Sequence, residues 1–150
     1  MTFVVETNVA LVANRRADHA SPECVLACTR VLNKIMESER IAIDDRWEVL
    51  SEYKKKLRSS GEPGVGDAFL RFVLTNLRNP ARCDPVPMVN FPSVPTLASF
   101  HSKDRKFVRV ALAHPDRPVI LNAVDTDWRP FELHLTAHGV RIEFLCPEHA

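Results

Sequence analysis

Short apolar runs rich in β-branched residues alternate with longer segments of helical periodicity along the chain, and this alternation constrains the fold more than any other feature. Thr2–Val5 (TFVV) reads as a buried strand that ends in Glu6-Thr7-Asn8. In Ser21-Pro22-Glu23 a capping hydroxyl stands ahead of a proline and an acid. Val25, Leu26, Val31, Leu32, Ile35 and Met36 follow at helical spacing, which predicts a helix. Ile41–Ile43 predicts a second strand, ended by Asp44-Asp45, after which Trp47, Leu50, Tyr53 and Leu57 mark an amphipathic helix. Beyond the turn residues Gly61 to Gly66, a third helical face runs from Asp67 to Leu77 and stops at Asn79-Pro80. Pro80, Pro85, Pro87, Pro92 and Pro95 predict a long irregular connection containing one extended piece, Val86–Phe91. Ser102 is the expected cap of a helix through Ala113. Pro118–Val124 (PVILNAV) reads as a central strand, Asp127–Ala137 as a last helix broken at Gly139, and Val140–Leu145 as a final strand.

Strands alternating with helices predict a parallel sheet covered on both faces, a three-layer α/β/α sandwich formed by a single domain over residues 1–150. A chain of this length removes roughly two thirds of its extended surface from water, enough for a core without staples. Twenty basic against 19 acidic residues leave a net charge of +1, which argues against whole-surface attraction to a polyanion; a nucleic acid would have to be held by a local patch. No apolar run approaches the roughly 20 residues of a membrane helix, and the N-terminus lacks a basic start followed by an apolar run. The expectation is therefore a cytoplasmic protein with no membrane partner. Cys24, Cys28, Cys83 and Cys146 are accordingly read as reduced, buried thiols, with a zinc site built from all four as the alternative.

In parallel α/β sheets, ligands bind outside the carboxyl ends of the strands. Acids fall there repeatedly: Glu6 closes the first strand, Asp44 and Asp45 the second, and Asp125 with Asp127 follows PVILNAV. Asp104 shares a helical face with Phe107, Val108 and Ala111, which aims it inward; the competing reading makes it a helix N-terminal cap. Converging carboxylates repel one another, and a divalent cation offsets the repulsion. Mg²⁺ or Mn²⁺, which take oxygen ligands and leave waters for phosphate oxygens, fit such a crevice and point to metal-assisted phosphoryl chemistry.

Four segments carry a resemblance. FVVETNVALVA at the N-terminus, EVLSEYKKKL at 48–57, KDRKFVRVALA at 103–113 and LNAVDTDW at 121–128 resemble, in order and over essentially the whole chain, the four acidic motifs of PIN-domain nucleases. The resemblance implies a parallel α/β sandwich, Mg²⁺ or Mn²⁺, and endonucleolytic cleavage of RNA to products with a 5′ phosphate, as in the toxin ribonucleases of bacterial toxin–antitoxin pairs. It carries with it an antitoxin protein and a homodimer as expected partners. The family's first acid, usually aspartate before Thr-Asn, falls on Glu6, with Thr7 and Asn8 matching. Glutamate moves the carboxylate by about 1.5 Å, a displacement that weakens metal geometry. The second acid matches Glu52, with Glu48 one turn earlier as competitor and an i+4 salt bridge to Lys56 as the structural alternative. The third falls on Asp104 and the fourth on Asp125, with Asp127 an accessory ligand or the N-cap of the last helix. Asn8 would hydrogen-bond beside the metal. Arg105 and Lys106, together with Arg15, Arg16 and Lys54 to Lys56, would form a cationic rim for substrate phosphates.

Two other classes compete. A PIN-like module that binds RNA or protein without cleaving follows from the glutamate at position 6. Asp125-Thr126-Asp127 after a strand is also similar to the nucleophile motif of haloacid-dehalogenase-like phosphatases, but only 23 residues follow Asp127, too few for that enzyme's remaining sites. His134 and His138, one turn apart, and the glycine pair Gly64 and Gly66 are assigned no role.

Overall fold

The computed structural model describes residues 1–17, 20–124 and 126–146. Its centre is a five-stranded, all-parallel sheet in the order β3-β2-β1-β4-β5, with β1 at Thr2–Val5, β2 at Arg40–Asp44, β3 at Cys83–Val86, β4 at Val119–Asn122 and β5 at Ile142–Phe144. Helices α1 (Thr7–Ala13), α2 (Pro22–Ser38), α3 (Glu48–Lys56), α4 (Val65–Thr75), α5 (Arg105–Ala113) and α6 (Glu132–Ala137) supply the crossovers, giving the expected three-layer α/β/α architecture. Parallel pairing demands such crossovers, and helices packed on both faces leave β1 buried along its whole length. β1 lies between β2 and β4, in register Phe3 to Ile41 and Phe3 to Val119. Chain order therefore reverses between β1 and β4, and it is there that a crevice opens in doubly wound sheets. No helix among the described residues is long and apolar enough to cross a membrane.

Local chemistry explains most boundaries. The Ser21 hydroxyl accepts from the Cys24 amide at 3.1 Å, with Pro22 in the first turn, as its pattern predicts. Asp44 leaves the sheet edge for a similar task. Fully buried, it accepts from the amides of Glu48 at 2.8 Å and Val49 at 2.9 Å, capping α3 instead of facing a ligand. Trp47 departs from the expected apolar stripe. It holds a left-handed backbone (φ 65°) ahead of α3 and is 40% exposed, while Leu50, Tyr53 and Leu57 are buried as expected. Gly66 permits the close crossing of α4 over α1, since a Cβ there would stand 2.1 Å from the Ala10 carbonyl oxygen.

Several expectations are corrected. Helix α1 is absent from the periodicity reading, because the chain passes from β1 into a helix within two residues. The extended piece expected at Val86–Phe91 is not the strand: β3 occupies Cys83–Val86, where Pro85 is tolerated at the sheet margin. His101, not Ser102, caps the turn before α5: its Nδ1 accepts from the Lys103 amide at 3.2 Å. The last helix begins as a 3₁₀ turn at Arg129–Phe131 and becomes α-helical only at Glu132. Cys24 and Cys146 are not reduced thiols but a disulfide closing a sequence separation of 122 residues, while Cys28 and Cys83 are free and buried. Loop-closure entropy makes such a link worth about 4–5 kcal/mol.

The proline-rich connection is held down by aromatic and guanidinium contacts. Phe100 stacks on Phe91 and meets fully buried Trp128 edge-on at 5.0 Å between ring centroids. Arg105 lies 4.5 Å over the Phe91 ring and donates to the carbonyls of Phe100 and Ala98, while Arg109 donates to Val89 at 2.8 Å.

Candidate functional site

Glu6 is the first residue beyond β1. Its amide donates to the Leu121 carbonyl of β4 at 3.0 Å, and its carboxylate accepts from the Asn8 amide at 2.7 Å, capping α1. The residue is only 5% exposed, yet it borders a cleft of about 220 Å³ at the β1/β4 reversal. Glu52 from α3, Asp104 from the 3₁₀ turn at Ser102–Asp104, and Asp127 after β4 border the same cleft. Four carboxylates from four separate chain segments thus converge where the topology opens the sheet. Asp125, the expected fourth acid, lies outside the described residues.

Each acid sits in its own network. Glu52 accepts from the Thr7 hydroxyl on one oxygen and faces Lys106 Nζ at 2.7 Å on the other. The pairing crosses from α3 to α5, unlike the expected i+4 contact with Lys56. Glu48, the competitor, is exposed and lines the neighbouring grooves instead of this cleft. Asp104 is half-buried, above the buried residues Phe107, Val108 and Ala111, and its side chain makes no capping bond to α5. Asp127 precedes the 3₁₀ turn, whose own N-cap is Trp128. Tyr53, fully buried one residue beyond Glu52, donates to the Val5 carbonyl at 2.5 Å. Burial above all, then the nearby charges of Glu6 and Glu52, push its hydroxyl well above the usual tyrosine value, so it stays a neutral donor pinning α3 to the end of β1.

Asn8 ties the two sides of the reversal together. Its amide nitrogen donates to Asn122 Oδ1 at 3.3 Å and its oxygen accepts from the Ala123 amide at 2.9 Å. Arg105, expected beside the substrate, does not border the cleft itself but lines the adjoining groove with Lys103, Lys106 and Arg109, its guanidinium engaged with the carbonyls of the proline-rich connection. Sequence reasoning missed His101 and Lys103, both on the cleft wall. Their only signal is proximity to Asp104.

Cations accumulate beside the acids. Lys56 and Lys103 line the cleft. They continue into a groove of about 480 Å³ bordered by Arg46, Lys55 and Lys106, and a second groove of about 490 Å³ holds Lys103, Lys106, Arg109 and Phe91. A basic track therefore runs up to an acidic pit, although the chain as a whole carries a net charge of only +1. The cleft's donors are carboxylate, hydroxyl and amide oxygens from Glu6, Thr7, Asn8, Glu52, Asp104 and Asp127, a hard set suited to Mg²⁺ or Mn²⁺. Among the described residues no three of these carboxylates approach within 4.8 Å of one another; that spacing is met by Cys24, Cys28 and Cys146. Mg²⁺ retains several waters and commonly uses one or two carboxylates directly, so the wider spacing still fits it.

No protein-family model, curated protein or solved structure matches the chain.

Proposed function

We propose that the chain is a metal-dependent endoribonuclease of PIN-like architecture acting on RNA in the cytoplasm. One observation carries the reading: acids from four chain segments line a single cleft at the strand-order reversal, with a basic track leading into it. Glu6, Asp104 and Asp127, with Glu52 and the undescribed Asp125, would hold Mg²⁺ or Mn²⁺, which supplies an acidified water and stabilises charge on the departing oxygen. The chain's own groups do the positioning. Lys106 and Thr7 fix the Glu52 carboxylate, Asn8 fixes the end of β4 against α1, and Lys56 and Lys103 stand where phosphate oxygens would enter. An antitoxin-like protein inhibitor and self-pairing belong to the same reading through the PIN resemblance.

A second reading has its own support. Glu6 already caps a helix and both oxygens of Glu52 are engaged, which favours a PIN-like module that binds RNA without cutting it. Titration of Mn²⁺ followed by electron paramagnetic resonance separates the two. The nuclease reading expects bound Mn²⁺ in the wild type and loss of it in Asp104→Asn. RNA binding by both proteins, with no bound ion in either, favours the module.

A further inference from the structure

Three buried cysteines meet, and none of them lines the acidic cleft. Cys24 and Cys28 stand one turn apart at the start of α2, and Cys146 follows β5, which brings it to the same end of the molecule. All three are essentially inaccessible, and their sulfurs lie within 4.8 Å of one another. Two of them are joined and the third is a free thiol beside the bond. Cys83 lies on the edge strand β3 and takes no part, so the group is a trio and not the fourfold site considered from the sequence.

We propose that this trio is a redox-gated zinc site: Cys24 and Cys146 form a disulfide under oxidising conditions, and after reduction Cys24, Cys28 and Cys146 together bind one Zn²⁺. Thiolate sulfurs in tetrahedral zinc sites lie just under 4 Å apart, as Zn–S bonds of about 2.3 Å require; all three sulfurs already fall within 4.8 Å of one another, and reduction frees the bonded Cys24 and Cys146 sulfurs to separate to that distance. Soft sulfur donors select Zn²⁺ over the hard ions suited to the acidic cleft. Three protein ligands leave one coordination position for water or another donor.

Each step balances. A dithiol reductant gives two electrons and two protons to the Cys24–Cys146 bond and leaves as its own cyclic disulfide, so the protein gains two thiols. Zn²⁺ then displaces three protons, one from each of Cys24, Cys28 and Cys146, to solvent. Either state ties the end of β5 to the first turns of α2. A chain that meets a reducing compartment, where disulfides do not persist, would thereby keep the same tether by other means.

The test uses the full chain, reduced with a phosphine under anaerobic conditions, desalted, and titrated with Zn²⁺ against a chromophoric chelator. Cd²⁺ serves as a parallel probe through its ultraviolet thiolate charge-transfer band. The expected result is one equivalent bound by reduced wild type and by Cys83→Ser, release of three protons, and no binding by the oxidised protein. Cys28→Ser should weaken binding by at least about 100-fold, because even loss of an outer-shell partner costs roughly 10–100-fold. Circular dichroism accompanies each sample. If reduction unfolds the chain, refolding on adding Zn²⁺ supports the site. Failure of reduced wild type to bind, failure of Zn²⁺ to restore a lost fold, or equal binding by Cys28→Ser overturns it.

Discussion

Lys106 on α5 places its ammonium 2.7 Å from Glu52 on α3, so a cation that borders the neighbouring grooves neutralises an acid of the cleft. Both side chains are mostly buried. Their attraction is therefore less screened than that of a surface pair, and loss of one partner leaves a charge in a partly dry site. Replacing Lys106 by Met should destabilise the fold by about 1–2 kcal/mol, between the surface and buried limits. In the nuclease account it should also raise Mn²⁺ affinity, by freeing Glu52, while weakening RNA binding. Chemical denaturation and separate titrations of metal and RNA read all three effects; a fall in Mn²⁺ affinity would remove Glu52 from the metal site.

The Asn8 bridge yields a second expectation. Asn8→Ala deletes the acceptor for the Ala123 amide and the donor to Asn122 at the end of β4. The cost should be about 1–3 kcal/mol, since a buried backbone amide loses its partner. Asn8→Asp keeps the acceptor and should recover part of that loss. Thermal unfolding of the three proteins provides the measurement, and equal stabilities would show that the bridge does not hold the reversal together.

Asp67 links α4 to the segments before it and should control acid stability. Burial pushes its carboxyl up, but hydrogen bonds from the Arg58 and Gly64 amides and from the Asn14 side chain outweigh that effect and hold it below the usual aspartate value. With the folded value depressed, the stabilisation is fully present above the unfolded value of roughly 3.9 and is lost as pH falls through the folded one. Wild-type stability should thus decline on acidification below about pH 4. Asp67→Asn should be about 1–3 kcal/mol less stable at neutral pH and lose less on acidification. Urea unfolding across pH gives both curves, and parallel curves would contradict the assignment.

Much of this architecture is legible in the residues, for identifiable reasons. β1, β2 and β4 announce themselves because strands buried on both faces are nearly pure apolar runs. Asp104 could be picked from a helical face and Glu52 only from the motif resemblance, and both border the cleft. Where tertiary contacts decide, the signal fails. Helix α1 begins with a glutamate cap directly after a strand, and its β-branched Thr7, Val9 and Val12 read equally well as extended chain. Asp44 looks like a site acid by position, but the start of α3 claims it. Lys106 was expected at a phosphate and instead meets Glu52, a choice set by how α5 packs against α3. No spacing rule pairs Cys24 with a cysteine 122 residues away.

The central claim, that the acidic cleft cleaves RNA with a bound divalent ion, is tested most directly by the rate of cutting of an end-labelled RNA pool at saturating Mn²⁺. Wild type and Asp104→Asn are compared with and without chelator. The account predicts cleavage by wild type that chelation abolishes, products bearing a 5′ phosphate, and a rate lower by at least about 100-fold in Asp104→Asn. RNA left intact by folded wild-type protein, or cut equally fast by Asp104→Asn, would contradict it.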